Sequence, residues 1–293
     1  MDSIHRTVLL NETIDGLLVS QKVGDEKLVI LDCTFGGGGH SAEILKKFPK
    51  AKIIALDEDK SAWRENDVRI FFHNENFSNL DKILKNEKVD GVIFDLGLSS
   101  DQLENSGRGF SFMKDEPLLM TMKENPSLED VTAEDIVNTW SEENLADIIY
   151  GYGEEKYSRR IARRIAKARK KAKIKTTFDL VKIIEKAVPE AYKRGKIHFA
   201  TRTFQALRIA VNDELRVLQT GLEKGFNALK AGGRMAVISF HSLEDRIVKK
   251  FYKEKEKEGR VILINKKPII ASQEEIKNNP RARSAKLRIF KKI

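Results

Sequence analysis

The sequence predicts an α/β fold with a helical domain inserted into it, because the pattern of apolar residues changes twice along the 293 residues. Up to about residue 103, short apolar segments typical of buried strands alternate with segments of helical periodicity. From about 104 to 208 amphipathic helices dominate, and strand patterns return afterwards. We therefore expect one discontinuous α/β domain, residues 1–103 with 209–293, and an inserted, mainly helical domain, residues 104–208.

Seven strands are predicted, four before the insertion and three after it. They are Leu28–Leu31, Ala51–Leu56, Arg69–Phe72, Val89–Phe94, Arg234–Phe240, Arg260–Ile264 and Lys286–Phe290. The first four alternate with helical segments such as Ser41–Lys47 and Asn79–Leu84, a pattern typical of a parallel sheet.

The predicted helices of the insertion are Ala133–Thr139, Glu142–Ile149, Lys156–Ala172 and Thr177–Ala187. A single long helix is expected from about Thr203 to Leu229. Because glycine commonly follows the last turn of a helix, Ala231-Gly232-Gly233 is expected to end it.

The first strand is followed by a glycine-rich turn, in the segment DCTFGGGGH from Asp32 to His40. Glycines such as Gly36, Gly38 and Gly39 leave bare backbone against which a ligand can lie. Asp57 follows the second strand, eighteen residues after Gly39. An acid at such an offset can accept both ribose hydroxyls of an adenosine-containing ligand, so the segment predicts a nucleotide-like cofactor.

Asp32, which precedes the glycines in the segment, indicates which nucleotide-like cofactor is bound. Asp32 would repel a pyrophosphate, and the G-x-G-x-x-G spacing of dinucleotide turns is absent. An acid here instead attracts a cation, such as the amino group or the sulfonium of S-adenosylmethionine. We therefore expect a methyltransferase turn, with His40 as a polar neighbour of the cofactor. A nicotinamide-dependent dehydrogenase is the alternative, which NADH binding would support.

Two further polar clusters follow the fourth and fifth predicted strands, where ligands bind in open α/β sheets. The first is VIFDLGLSSDQL, with Asp95, Ser99, Ser100 and Gln102; the second is VISFHSLEDRIVK, with Ser239, His241, Ser242, Glu244, Asp245 and Arg246. Ser242 and Asp245 also suit a helix cap. The convergence of both clusters on one sheet edge predicts a polar site there.

The net charge of +10 is unevenly distributed. Lys156–Lys175 holds eleven Lys or Arg residues and Lys277–Ile293 holds seven, with no acid in either run, while the rest of the chain is acidic overall. This distribution predicts a polyanionic partner, and RNA is the natural one. The candidate backbone contacts are Arg160, Arg163, Arg164, Lys167, Lys171, Arg281 and Arg283. A non-catalytic RNA-binding protein, which would leave the glycine turn empty, is a second alternative.

Other sites and locations are not expected. The N-terminal residues lack the pattern of a signal peptide, and no apolar run approaches a membrane span, which predicts a cytoplasmic protein. A single cysteine, Cys33, excludes an internal disulfide framework and suits a small buried side chain. The five histidines lack ligand spacing, so we expect no metal.

Several long motifs carry a resemblance to a known family. They are DCTFGGGGHS, DLGLSSDQL, RGFSFM, YGEEKYSRRIARRI, HFATRTFQALRIAVN, GGRMAVISFHSLEDRIVK and NPRARSAKLR. Nearly end to end, the chain resembles the bacterial ribosomal RNA small subunit methyltransferase H family. The resemblance implies a class I, Rossmann-like methyltransferase sheet and methyl transfer from S-adenosylmethionine to cytosine N4 in the decoding region of 16S rRNA. By position within the motifs, the cofactor contacts would be Gly38, Gly39, His40, Asp57, Phe77, Asp95 and Gln102.

The sequence departs from the family pattern at one place. Where the family is expected to read PLDMRM, this chain reads PLLMTM, so that Leu119 and Thr121 replace an acid and an arginine. This chain therefore offers neither that acid nor that arginine for placing a substrate.

The chemistry of an exocyclic amine defines what the site needs. The lone pair of cytosine N4 is delocalised into the ring, so the enzyme must align the amine with the methyl group and take up its proton. Asp95 is the first candidate for this role and His241 is the alternative. An extruded or unpaired base is required, and Phe110, Phe112 and Phe204 are candidates to stack on it.

Overall fold

The computed structural model describes residues 7–18, 27–60, 67–124, 126–127 and 129–293. The chain forms two compact units, which we call the sheet unit, Met1–Gly97 with Leu215–Ile293, and the helical unit, Leu98–Glu214.

The sheet unit is built on seven strands in the order β3-β2-β1-β4-β5-β7-β6. Their bounds are β1 Val29–Asp32, β2 Lys52–Leu56, β3 Ile70–His73, β4 Val89–Asp95, β5 Leu229–Ser239, β6 Val261–Leu263 and β7 Lys286–Lys292. Strands β1 to β5 pair in parallel, whereas β7 runs antiparallel to both β5 and β6. The predicted α/β fold of a class I methyltransferase is therefore confirmed.

Helices cover both faces of this sheet, which explains why its central strands are almost continuously apolar. The helices of the sheet unit are α1 Leu10–Leu18, α2 Gly39–Lys47, α3 Leu80–Leu84, α11 Glu214–Ala228, α12 Ser242–Lys257 and α13 Gln273–Asn278. Neighbouring residues of one strand enter opposite cores: Ile30 and Ile93 pack on one face, Leu31 and Phe94 on the other. Cys33 is buried, as predicted.

The helical unit packs its helices around a separate core. They are α4 Ser100–Glu104, α5 Ala133–Thr139, α6 Glu142–Gly151, α7 Ser158–Arg169, α8 Thr177–Glu185, α9 Glu190–Lys193 and α10 Thr201–Asn212. The core includes Ile136, Leu145, Ile161 and Ile165, none of which is exposed. Helix α7 is shorter than its predicted span, so Lys171 lies beyond its end.

The expected single helix from Thr203 to Leu229 is wrong. The chain leaves α10 at Asp213, whose φ of 47° is left-handed, and starts again as α11. The side chain of Asn212 holds this break, because its amide donates to the carbonyl of Met120 and accepts from the N–H of Met122, both at 2.8 Å. Helix α11 ends at Ala228, and the Ala-Gly-Gly segment belongs to β5 rather than to a helix end.

Among the residues that the structure describes, no helix combines the length and the apolar composition needed to cross a bilayer.

Candidate active site

Three carboxyl groups meet at the carboxyl ends of neighbouring strands. Asp32 is the last residue of β1, Asp95 is the last of β4, and Asp57 directly follows β2. Because β1 lies between β2 and β4, these ends form one edge of the sheet, where open α/β sheets bind ligands. Burial is the main cause of the raised pKa of Asp57 and of Asp95, and the charge of Asp32 adds to the rise in both.

The glycine turn between β1 and α2 has a backbone that other residues do not readily adopt. Gly36 and Gly38 have φ angles of 52° and 72°, and the N–H of Gly36 donates to Asp57 Oδ2 at 2.8 Å. A Cβ atom at Gly38 would lie 2.7 Å from the ring of Phe35. Glycine is therefore needed for the turn to pass close to Asp57.

Asp32 directs its carboxylate into the turn. Its Oδ2 accepts a hydrogen bond of 2.6 Å from the Ser41 hydroxyl, and its Oδ1 accepts one of 3.3 Å from the N–H of Thr34. Burial raises the pKa of Asp32 to about 6, although these hydrogen bonds oppose the shift. Asp32 thus fixes the start of α2 and contributes negative potential to the site.

Asp57 is bonded to backbone on both oxygens. Besides the contact with Gly36, its Oδ1 accepts from the N–H of Asp59 at 2.9 Å. Burial raises the pKa of Asp57 to about 6. A carboxylate held in this way still has free lone pairs for two hydroxyl groups, which is the role that the sequence predicts for it.

Asp95 has the most unusual environment of the three. Its Oδ1 is buried and has no hydrogen-bond partner among the described residues, and its Oδ2 lies 3.7 Å from Nδ1 of the buried His40. Burial, followed by the charges of Asp32 and Glu244, raises its pKa to about 8. An unsatisfied buried carboxylate oxygen is costly, which points to a ligand that completes the site.

No Lys or Arg of the described part of the chain pairs with Asp32, Asp57 or Asp95. Three carboxyls without a cation beside them favour a positively charged ligand. The residues present therefore fit the sulfonium and amino groups of S-adenosylmethionine.

Phe77 lies in a 3₁₀ helix of the sheet unit, Phe77–Asn79, and packs edge to face on Phe94 with ring centroids 5.3 Å apart. The ring is partly exposed. A Cβ atom at Gly221 would lie 2.5 Å from it, so a glycine in α11 makes room for this phenylalanine. Gly221 could not be recognised from the sequence, because nothing in the spacing of α11 marks it.

His241 caps a helix. It is the residue before α12, and its Nδ1 accepts from the N–H of Glu244 at 3.4 Å, while Glu244 Oε2 accepts from the N–H of His241 at 3.2 Å. His241 Nε2 lies 3.2 Å from Glu244 Oε1. In a neutral imidazole whose Nδ1 accepts, Nε2 carries the proton and offers no lone pair to a substrate.

The other candidate contacts to the cofactor or to the base belong to the helical unit. Gln102 forms a capping box at α4 with Ser99, whose hydroxyl accepts from the N–H of Gln102 at 3.1 Å. The side chain of Ser100 lies outside the described residues. Phe110 and Phe204 are buried in the core of the unit. Phe112 is partly exposed and stacks on His198 with ring centroids 4.5 Å apart.

The basic face predicted for α7 is exposed. Arg160, Arg164 and Lys167 are exposed, while Ile161 and Ile165 face the core. Two further candidates on this stretch, Arg163 and Lys171, are exposed as well, and Arg163 lies 3.5 Å from Glu142. The exposed cations of α7 are therefore available to a polyanion.

The basic C-terminal run differs from α7, because several of its cations are paired or hydrogen-bonded within the fold. Arg288 is buried and pairs with Asp245 at 2.7 Å, and Lys292 donates to the carbonyls of Phe226, in α11, and Leu229, the first residue of β5. Arg283 is exposed and Arg281 is partly buried. The count of cations in the sequence thus overstates the charge that this run presents to a partner.

The departure from the family pattern lies in the helical unit. Thr121 is buried and its hydroxyl accepts from the N–H of Lys123 at 3.2 Å. Leu119 is partly buried. Neither side chain carries a charge, so this segment supplies no acid and no arginine to a substrate.

Residues 2–293 match the model of the MraW methylase family. The chain belongs to this family. A ribosomal RNA small subunit methyltransferase H from Clostridium botulinum (strain Kyoto / Type A2) is 47% identical to this chain, over 100% of both chains. The protein of the same description from Synechococcus elongatus is 46% identical, over 99% of this chain and 95% of its own length. The crystal structure of an rRNA methylase from Streptococcus thermophilus is 11% identical, has a TM-score of 0.41 and covers 92% of this chain and 89% of its own.

Membership of the MraW methylase family confirms that the protein is a methyltransferase with S-adenosylmethionine as its cofactor. The expected family resemblance is confirmed with it, and a nicotinamide-dependent dehydrogenase is not supported.

Proposed function

We propose that this protein transfers a methyl group from S-adenosylmethionine to the exocyclic N4 of a cytidine in the decoding region of 16S rRNA. The family and its curated relatives support the substrate class. The observation that carries the chemistry is Asp95, a carboxyl at the sheet edge with one buried oxygen that lacks a partner among the described residues. Such a substrate implies action in the cytoplasm.

The division of labour follows the two units. We assign cofactor binding to the sheet unit, with Asp32, Gly36, Gly38, Gly39, His40, Asp57, Phe77 and Asp95 as its candidate residues, and RNA recognition to the helical unit. Gln102 stays a candidate cofactor contact by its place in the motif DLGLSSDQL. The exposed cations of α7, with Arg281 and Arg283 in the sheet unit, would contact phosphates, which position an RNA without reading its bases.

The cofactor supplies an activated methyl group on a positively charged sulfur. The turn residues and Asp57 hold it against the backbone, so that the methyl group and the amine meet in a fixed orientation. Asp95 accepts a hydrogen bond from the N4 amine. This bond orients the amine so that the lone pair of its nitrogen points toward the methyl carbon. When the methyl group passes from sulfur to nitrogen, the Asp95 carboxylate would take up the proton that the amine loses.

The charges around Asp95 set its pKa differently before and after methyl transfer. A cation beside Asp95 lowers its pKa and keeps it ionised, ready to accept. Without that cation, burial, followed by the charges of Asp32 and Glu244, raises the pKa of Asp95, which favours uptake of the proton. We prefer Asp95 to His241 as acceptor because His241 Nδ1 is engaged in the cap of α12.

The decisive experiment incubates the protein with methyl-labelled S-adenosylmethionine and either naked 16S rRNA or small ribosomal subunits, followed by mapping of the modified nucleotide. We expect one N4-methylated cytidine in the decoding region. Label that stays off RNA, or a methyl group on another atom, would contradict the proposal.

A further inference from the structure

Two tyrosines of the helical unit form an edge-to-face pair at the start of the basic helix. Tyr157, directly before α7, and Tyr192, in α9, have ring centroids 5.0 Å apart and planes at 76°. Both rings are partly exposed. We call them the tyrosine pair. The proposed function uses the cations of this stretch but gives its aromatic residues no role.

A buried carboxylate orients the tyrosine pair. Glu155 is 0% exposed, its Oε1 accepts from the N–H of Tyr157 at 2.8 Å, and its Oε2 accepts from the hydroxyl of Tyr192 at 2.5 Å. Burial and this hydrogen bond raise the pKa of Tyr192 to about 12, so its hydroxyl remains a donor. No cation of the described residues pairs with Glu155. Burying an acid costs stability. Because Glu155 is buried and bonds to both tyrosines, we infer that the orientation of the two rings matters.

Cations surround the rings and continue along α7. The Lys156 ammonium lies 5.1 Å from the ring centroid of Tyr157 and 5.5 Å from that of Tyr192, and the Arg160 guanidinium lies 5.6 Å from Tyr157. From Arg160, the exposed Arg164 and Lys167 follow at helical spacing on one face, a row about 10 Å long.

We propose that the tyrosine pair is a stacking platform for an unstacked base of single-stranded RNA, with Lys156 and the basic row of α7 binding the adjacent phosphates. The inference rests on the proposed RNA substrate. Aromatic faces beside a track of cations are how proteins bind single strands, because every base has a π-face and every nucleotide has a phosphate. A base on the platform takes the place of the Lys156 ammonium, which then reaches the phosphate of the same nucleotide.

Stacking and charge have different salt dependences, which allows a sharp test. The probes are a fluorescein-labelled single-stranded oligoadenylate and an RNA duplex of the same length. We expect Tyr157→Leu to weaken single-strand binding by roughly 5- to 150-fold without changing the dependence on salt. Lys156→Ala should reduce the logarithmic salt slope by about 0.7. Tyr157→Phe, which keeps the π-face, should bind as the wild type does.

Tyr150→Leu is the matched control, because Tyr150 is 67% exposed on α6 and makes no ring contact within the described part of the chain. It should bind both probes normally. Duplex binding should be unaffected by Tyr157→Leu, since paired bases do not reach a stacking platform.

The wild-type protein provides a second measurement if Tyr157→Leu does not fold. Replacing bases of the oligoadenylate by abasic sites should weaken its binding by a similar factor. The platform is refuted if abasic and intact strands bind equally, or if folded Tyr157→Leu binds single strands normally. Equal competition by polyglutamate would also refute it and indicate an acidic protein partner.

The same preparations separate this inference from the proposed function. Folded Tyr157→Leu should bind S-adenosylmethionine as the wild type does. If the wild type binds strands as expected but methylates no rRNA, the proposed function fails and the platform stands. If it methylates rRNA while Tyr157→Leu binds strands normally, the platform alone fails.

Discussion

Thr34 and Asp95 join the ends of two neighbouring strands, because the Thr34 hydroxyl accepts a hydrogen bond of 2.6 Å from the backbone N–H of Asp95. Thr34 follows β1 within the glycine-turn motif, and Asp95 ends β4. The bond fixes the backbone from which the Asp95 carboxyl projects. The glycine turn and the proposed proton acceptor are thus parts of one rigid arrangement, as a positioned base requires.

Replacing Asp95 by Asn should affect chemistry more than binding. Asn keeps the shape of the side chain but does not take up the amine proton, and positioned bases contribute about 10²- to 10⁴-fold. We expect the single-turnover rate of methyl transfer, at saturating cofactor, to fall by a factor in this range, and calorimetric affinity for S-adenosylmethionine to fall less. A loss confined to affinity would make Asp95 a cofactor contact only.

His241→Asn tests the alternative acceptor. Asn is among the preferred helix caps, so it should preserve the start of α12, where His241 accepts from the N–H of Glu244. We expect stability and single-turnover rate within a few-fold of the wild type. A rate as low as that of Asp95→Asn, in a protein that melts normally, would assign proton uptake to His241.

Cofactor affinity should increase with pH. Without a cation beside it, Asp95 has a pKa of about 8, so below that pH its carboxyl is mostly protonated. A cationic sulfur favours the ionised form, so binding releases a proton, and affinity should rise by up to about tenfold per pH unit below pH 8 and level off above it. Calorimetry in buffers of different ionisation enthalpy counts the protons.

Two comparisons sharpen the pH experiment. S-adenosylhomocysteine has a neutral sulfur, so its affinity should rise less with pH than that of S-adenosylmethionine. In Asp95→Asn, the part of the rise just below pH 8 should disappear, and any rise that remains, near pH 6, would come from Asp32 and Asp57. A wild-type affinity that is independent of pH, or proton uptake on binding, would contradict the assignment.

Asp57→Ala should weaken cofactor binding. Charge-assisted hydrogen bonds to a ribose contribute about 1.5 to 3 kcal/mol, which corresponds to roughly 10- to 150-fold in affinity. Asp81→Ala is the control, because Asp81 is an exposed acid of the same unit that pairs with Lys224. Calorimetry that gives both variants the wild-type affinity would remove Asp57 from the ribose site.

The basic face of α7 should set the salt dependence of RNA binding. Changing Arg160, Arg164 and Lys167 to Ala should weaken rRNA binding and reduce the logarithmic salt slope by up to about 0.7 to 0.9 per lost phosphate contact. The control removes three exposed lysines of α12 in the sheet unit, Lys249, Lys250 and Lys253. Cofactor affinity should stay constant in both variants. An unchanged slope in the first would show that RNA binds elsewhere.

The strands and the glycine turn could be predicted because their signals are local. Buried parallel strands appear as short apolar runs, and the turn requires glycine at positions of positive φ. The break at Asp213 could not be predicted, since periodicity continues across it and Asn212 bonds to Met122, 90 residues earlier in the chain.

Which of the predicted functional residues are available to a ligand could also not be predicted from the sequence. Counting cations could not separate the buried Arg288, paired with Asp245, from the exposed Arg160, because pairing depends on the tertiary structure. Sequence likewise identified His241 as polar and near the site, but only the structure shows that its Nδ1 accepts from the N–H of Glu244.

The pairing of β4 with β5 has a consequence for how the chain folds. Asp90 and Lys230, which form an ion pair where these strands begin, are 140 residues apart in sequence. Contacts of such separation form slowly. During synthesis the helical unit is complete before β5 exists. Until β5 is made, strand β4 has no neighbour on one side, so this edge of the sheet is uncovered. We expect a nascent chain at that stage to be prone to aggregation and to chaperone binding.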